Sequence, residues 1–217
     1  MTKITILTDI KDNFFLDFKN DLLKKIKKIE KKVTYIFDKT KIQKGDLLLC
    51  IGCGSILSQD DLKKNTYNVI VHPSKLPNNK GSAVISHLIL RNKKTFHITF
   101  LEASSKIDSG DIYVQKFFKL NGTELCDEIR FKQAMLTIDM SIDIIKKIKK
   151  KSLIGFKQKK NNSKFLPRRT PKDSQININK TIRQQFNNLR VADNERYPSF
   201  FLYKGKKYII KIYKFND

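Results

Sequence analysis

The stretch Val69-Ile-Val-His72-Pro-Ser-Lys-Leu-Pro77 constrains this chain more than any other. An apolar run ends in a histidine, and a proline turn follows at once. That pattern reads as a buried strand delivering a polar side chain to its carboxyl end, where open α/β sheets place ligands and chemistry. Further on, Ile107-Asp108-Ser-Gly-Asp111 offers a carboxylate just before a glycine turn.

The flanking sequence supplies the frame. Lys3 to Thr8 alternates apolar and polar residues and predicts a strand. Asp12 is placed to cap a helix whose apolar stripe is Phe15, Phe18, Leu22, Ile26 and Ile29. Lys32 to Phe37 and Leu47 to Ile51 predict two more strands, and Gln59 to Lys63 a short helix. After the His72 strand come a helix over 82–90 and strands over 96–101 and 111–120. A long helix is expected from near Thr123, with acidic residues at its start and Lys146 to Lys151 at its end, as the helix dipole favours. Its predicted buried face is Phe131, Met135, Ile138, Ile142, Ile145 and Ile148. This alternation argues an α/β fold, a Rossmann-like, mostly parallel sheet with helices on both faces. Lys157 to Lys164 reads as a linker. Beyond it, Ile178, Ile182, Phe186 and Leu189 mark a short helix, and Phe200 to Tyr213 a hairpin turning at Lys204-Gly205. The expected organisation is a catalytic domain over residues 1–155 and a C-terminal tail over 156–217, which packs on it and takes part in dimerisation.

Charge bounds the partners. The 217 residues carry a formal net charge of +24, mostly from lysine. A basic chain can bind nucleic acid or acidic lipid. With abundant Asn and Ile, the lysine excess also matches an AT-rich coding bias that loads exposed faces. Either way a positive surface suits an anionic substrate. No apolar run reaches the length of a membrane span, and no secretory signal opens the sequence, so a cytoplasmic protein is expected. Cys50-Ile-Gly-Cys53 spells CxxC, but no second pair exists for a structural zinc site and the pair ends an apolar run; reduced cysteines and no metal are expected.

A neutral histidine at a strand end can accept a proton, and a carboxylate on its other nitrogen fixes the tautomer and stabilises the imidazolium. With no adjacent Ser or Cys nucleophile, such a pair suits a reaction whose substrate brings its own nucleophile, such as an amine attacking an acyl carbon. The residues alone leave a second reading open, in which His72 is a satisfied core histidine and Asp108 a turn residue before Gly110.

Motifs add to this. His72-Pro-Ser-Lys-Leu-Pro77 followed by Gly81 resembles the HPSLLP…G signature of formyltransferases that use 10-formyltetrahydrofolate, and Ile107-Asp-Ser-Gly-Asp-Ile112 resembles their LDxGDI segment. Pro167 to Asp173, Asn188 to Asp193, Tyr197-Pro198 and the hairpin resemble the tail of the sugar N-formyltransferases, which act on nucleotide-linked amino sugars. The resemblance implies that His72 stabilises the tetrahedral intermediate or moves the amine proton, and that Asp108 orients it. It implies a folate site along Ile51, Gly52, Cys53, Ala103, Ser104, Lys106 and Ile107, and acceptor contacts from Ser74, Lys75, Arg169, Arg190 and Tyr197, the last three serving equally to fasten the tail. The family pattern also has an Asn two residues before the His; here that position is Ile70. Asn68 lies on the same strand face but about 13 Å from His72.

The implied activity is transfer of a formyl group to the amine of a dTDP-, UDP- or GDP-linked amino-dideoxy sugar for surface polysaccharide (O-antigen) synthesis, by a homodimer paired partly through the hairpin. Two alternatives stand beside it. One is formylation of methionyl-tRNA, favoured by the charge and disfavoured by the short tail. The other is an inactive basic binding module. Nucleic acid is the less expected partner, since no aromatic-rich basic motif is present.

Overall fold

The computed structural model describes residues 1–104, 106–159 and 165–215. Among the described residues eight strands form: β1 (Ile4–Leu7), β2 (Val33–Ile36), β3 (Gly45–Ile51), β4 (Asn65–His72), β5 (Thr95–Glu102), β6 (Ile112–Lys119), β7 (Ser199–Tyr203) and β8 (Lys206–Ile210). The helices are α1 (Lys19–Lys27), α2 (Gln59–Leu62), α3 (Val84–Leu90), α4 (Cys126–Lys149) and α5 (Ile182–Arg190). The main sheet runs in the order β2-β1-β3-β4-β5-β6, and β7 and β8 form the expected separate hairpin.

The pairings among β1 to β4 are parallel; β4–β5 and β5–β6 are antiparallel. The sequence pattern predicts parallel crossovers as far as residue 120, so β5 and β6 depart from it. The reversal at β5 is not a matter of helix length, since the shorter α2 joins the parallel pair β3 and β4. A loop without a helix joins β5 to β6 and allows only antiparallel return.

All four residues of β1 are buried, as a strand covered on both faces requires. One face packs Ile4, Ile6, Leu47, Leu49 and Val69 against Phe15, Leu22 and Ile26 and against Ile138, Ile144, Ile145 and Ile148 of α4. The cover of the other face is thinner: Leu57, Ile42 and Ala103, with Leu62 of α2, pack on Leu7, Leu48, Cys50 and Ile70. Ile138, Ile145 and Ile148 are buried as predicted, but Phe131 is 54% exposed and lies against the Phe18 ring. The first helix is capped by Asn13 rather than Asp12: its Oδ1 accepts from the Phe15 N–H at 2.9 Å and opens a 3₁₀ turn over Phe14–Phe18.

The tail is stitched to the main sheet. Phe156 bridges Ile112 and Leu166 bridges Gly81. The boundary placed at 155/156 thus falls in backbone that pairs with β6, and residues 160–164 of the expected linker lie outside the described residues. Among the described residues no helix is long and apolar enough to cross a membrane.

Candidate functional site

His72 is the last residue of β4, and the loop after β5 presents Asp108 to it. Ala103 at the start of that loop packs on the same face as Ile70, so the chain folds back across this face rather than leaving the sheet. Asp108 has φ 51°, a left-handed conformation that Asp and Asn tolerate better than other side chains. The loop is held from the tail: Gln158 Nε2 donates to the carbonyls of Asp108 at 3.0 Å and Gly110 at 2.8 Å. Nothing in the Lys- and Asn-rich sequence around Gln158 signals this role.

The two predicted residues meet. His72 Nδ1 lies 3.4 Å from Asp108 Oδ1, with both side chains over nine-tenths buried. Asp108 Oδ2 also accepts from the Gly81 N–H at 3.4 Å. His72 Nε2 faces the Asn79 carbonyl at 3.4 Å. A carboxylate is the stronger acceptor, so the imidazole proton belongs on Nδ1 and the Nε2 lone pair is the basic site. Burial lowers the His72 pKa below its ordinary value; the nearby Asp108 carboxylate opposes this and Lys80 adds to it. The ring is therefore neutral at neutral pH.

Both residues line a cavity of about 600 Å³ at the carboxyl ends of β3 and β4. Of the residues expected along the folate, Ile51, Gly52, Cys53 and Ile107 line this cavity, whereas Ala103, Ser104 and Lys106 are not part of its wall. Ala103 is buried beneath the loop, and the Ser104 hydroxyl donates to the Lys106 carbonyl at 2.8 Å to close a local turn. The 51–54 segment is pinned by Asp9, which accepts from Gly54 N–H at 2.7 Å and Ser55 N–H at 3.1 Å. Gly52 has φ 67°, and the Asn13 amide occupies the space a Cβ would need. Ser82 before α3, Ser86 of α3, and Arg130 and Gln133 of α4 also line it, none of which the sequence signals. Arg130 is the single Lys or Arg in the wall among the described residues, and Asp193 pairs with it.

The residues expected to contact the acceptor lie elsewhere. Ser74 is fully buried, its hydroxyl without a partner among the described residues, because the turn aims it into the fold. Lys75 is exposed outside the cavity wall, and its charge acts on His97 rather than on His72. Arg190 is 3% exposed and donates to the Glu124 carbonyl and to Asn187 Oδ1, each at 2.8 Å. Arg169 donates to the Asp173 carbonyl, and the Tyr197 carbonyl accepts from Ser174. Of the three, Arg190 ties the tail to the residues before α4, while the contacts of Arg169 and Tyr197 lie within the tail. Ile70 is in the cavity wall, and Asn68 is committed to the Leu62 and Asn65 carbonyls.

Cys50 and Cys53 are free thiols. Contact with Cys53 and then burial push Cys50 well up, leaving it inert. Among the described residues no cluster of three or more metal-ligating side chains occurs.

Residues 15–135 match the family described as Formyl transferase. A methionyl-tRNA formyltransferase of Alkaliphilus metalliredigens is 28% identical over 137 residues, covering 63% of this chain and 44% of the relative. The chain spans about half the length of the curated relatives it matches. Three solved structures share the fold. A methionyl-tRNA formyltransferase from Clostridium thermocellum has a TM-score of 0.79 at 19% identity, covering 100% of this chain and 94% of that one. HypX from Aquifex aeolicus, in complex with tetrahydrofolic acid, gives 0.81 at 16%, covering 97% and 37%. A sugar N-formyltransferase from a Shewanella species gives 0.70 at 16%, covering 98% and 97%.

Proposed function

Since the chain belongs to the formyl transferase family, we propose that it moves a formyl group from 10-formyltetrahydrofolate to the amine of a nucleotide-linked amino-dideoxy sugar. The observation that carries the chemistry is the buried His72–Asp108 pair opening into a cavity large enough for a folate head and an acceptor amine. In this reading the amine nitrogen attacks the formyl carbon and the carbonyl electron pair moves onto oxygen. His72 Nε2 takes the amine proton, while Asp108 stabilises the imidazolium. Collapse breaks the bond to the folate nitrogen, which leaves with that proton. The free base at Nε2 and the charge at Nδ1 are the two requirements of this step.

The sugar acceptor is supported by the motifs of the tail and by the likeness in fold to the Shewanella sugar N-formyltransferase; the chain covers 94% of the Clostridium thermocellum methionyl-tRNA formyltransferase structure as well, so length does not choose between the two acceptors. Arg130, the only cation in the wall among the described residues, is already paired, so the basic surface lies outside the cavity, where a nucleotide diphosphate would sit. Methionyl-tRNA is the second reading, favoured by the curated relatives and the +24 charge. The test is tetrahydrofolate release with dTDP-, UDP- and GDP-linked 3-amino and 4-amino sugars, methionyl-tRNA, and no acceptor. Dependence on one amino sugar supports the proposal; dependence on tRNA replaces it with the second reading.

The hairpin carries half-exposed Leu202, Tyr203, Tyr208 and Ile209, apolar surface that pairing with a second copy would cover, and a homodimer is part of the proposal. A monomer by light scattering at micromolar concentration would exclude it.

A further inference from the structure

Acyl transfer to an amine develops negative charge on the carbonyl oxygen, and a preorganised neutral donor aimed at that oxygen is worth about 10²–10³ in rate. His72 cannot take the amine proton and also donate to the oxygen from the same nitrogen. The β4 side chain on the same face, two residues earlier, is apolar Ile70. The donor must come from another element, and the wall beside His72 holds one.

The structure assigns this role to Asn13: we propose that its Nδ2 donates to the oxyanion formed during transfer, and the assignment rests on the formyl-transfer reading of the cavity. Asn13 Oδ1 is fixed as an acceptor because it caps the 3₁₀ turn through the Phe15 N–H at 2.9 Å. The amide is therefore not free to flip, and Nδ2 points away from the turn. It lies against Gly52, in the space a Cβ would occupy. Ile51 of β3 pairs in register with Val71 of β4. Gly52 and His72 each follow that pair directly, at the carboxyl ends of neighbouring strands. Asn13, Gly52, Ile70 and His72 all line the same cavity. The glycine and the cap thus bring a side-chain amide from before α1 into the wall of the cavity that holds the base. Gln133 also lines the cavity, but from within α4, where no cap orients it.

Asn13→Asp separates this role from the structural one. Asp caps a helix as well as Asn does, so the turn is kept while the amide donor is lost. The expected result is a fall of about 10²-fold in kcat, with KM for either substrate changed less than about threefold and Tm unchanged. Ile70→Asn places an amide on the same strand face as His72, and in the Asn13→Asp background it should recover at least a tenfold share of the lost kcat. Turnover of Asn13→Asp within threefold of wild type overturns the assignment, as does an unchanged rate in the double variant. A wild-type protein that releases no tetrahydrofolate with any acceptor refutes the formyl-transfer reading itself, and the role of Asn13 falls with it. That failure is read on the unmutated protein, before any variant is made.

Discussion

Replacing Asp108 by Asn tests the division of labour in the pair most cleanly. Asp108 sits at φ 51°, and its Oδ2 accepts from the Gly81 N–H. Asn tolerates that backbone and keeps an acceptor, whereas Ala would strain the loop and confuse lost charge with lost structure. What disappears is one negative charge 3.4 Å from Nδ1. At an effective dielectric of about 20, a unit pair at this distance interacts by about 5 kcal/mol. Both groups are more than nine-tenths buried, so solvent screening takes only part of this. A realised half, about 2.5 kcal/mol, corresponds to a fall of roughly 10²-fold in kcat. The pH profile carries an independent sign. Burial holds the wild-type His72 pKa below its ordinary value, and Asp108 is the larger of the two groups that oppose this, the Asn79 carbonyl being the other. Without the carboxylate the pKa falls further, so the acid limb of kcat/KM moves to lower pH while the plateau drops. The assay is tetrahydrofolate release from 10-formyltetrahydrofolate between pH 5 and 9. A plateau within fivefold of wild type, or an acid limb that moves upward, would refute the role given to Asp108.

Two further outcomes concern stability. Arg190→Ala removes the buried 2.8 Å hydrogen bond that ties α5 to the Glu124 carbonyl and a part-buried one, also 2.8 Å, to Asn187 within α5. Its ion-pair contact with Glu124 is loose at 3.8 Å, and Lys132 still serves that carboxylate. The expected cost is about 2–3 kcal/mol, a Tm drop of roughly 5–10 °C for a chain of this size, read by thermal melts; an unchanged Tm would contradict the fastening role. Glu102 concerns pH. Burial and then the nearby Asp111 charge raise its carboxyl to about 7, and the Tyr113 hydroxyl donates to it. Because the folded pKa lies above the unfolded value, its contribution is fully present below about pH 4.5 and lost as pH rises through 7. Glu102→Gln should therefore flatten the decline of Tm between about pH 4.5 and 7, by about 1 kcal/mol at the upper end after allowance for partial exposure; parallel Tm curves for the two proteins would contradict this.

What could be read from the sequence is what local pattern encodes. The His72 strand, its proline turn, the Asp108 turn and the Lys204-Gly205 hairpin each carry their own signature, and the fold keeps all four. The cap at Asn13 was missed by one residue because Asp12 and Asn13 are equally able to cap, and only tertiary placement chooses between them. The directions of β5 and β6 are set by tertiary pairing, which apolar periodicity does not record. Ser74 and Arg190 sit in motifs that suggest acceptor contacts, yet the turn buries one and Glu124 claims the other. Gln158 and Asn13 were invisible because their significance lies in partners far along the chain: the Asp108 loop for one, Gly52 for the other. A phenylalanine at helical spacing promised burial, but Phe131 faces outward against Phe18, where α1 and α4 meet at the surface.

The measurement that bears most directly on the proposed activity is a competition. The protein is incubated with 10-formyltetrahydrofolate and an equimolar mixture of nucleotide-linked amino sugars and methionyl-tRNA, and each acceptor is examined by mass spectrometry for a gained formyl group. The expected result is formylation of one amino sugar, abolished in His72→Ala, with methionyl-tRNA unchanged. Formylated methionyl-tRNA with unmodified sugars would contradict the acceptor assignment, and full formylation by His72→Ala would contradict the site.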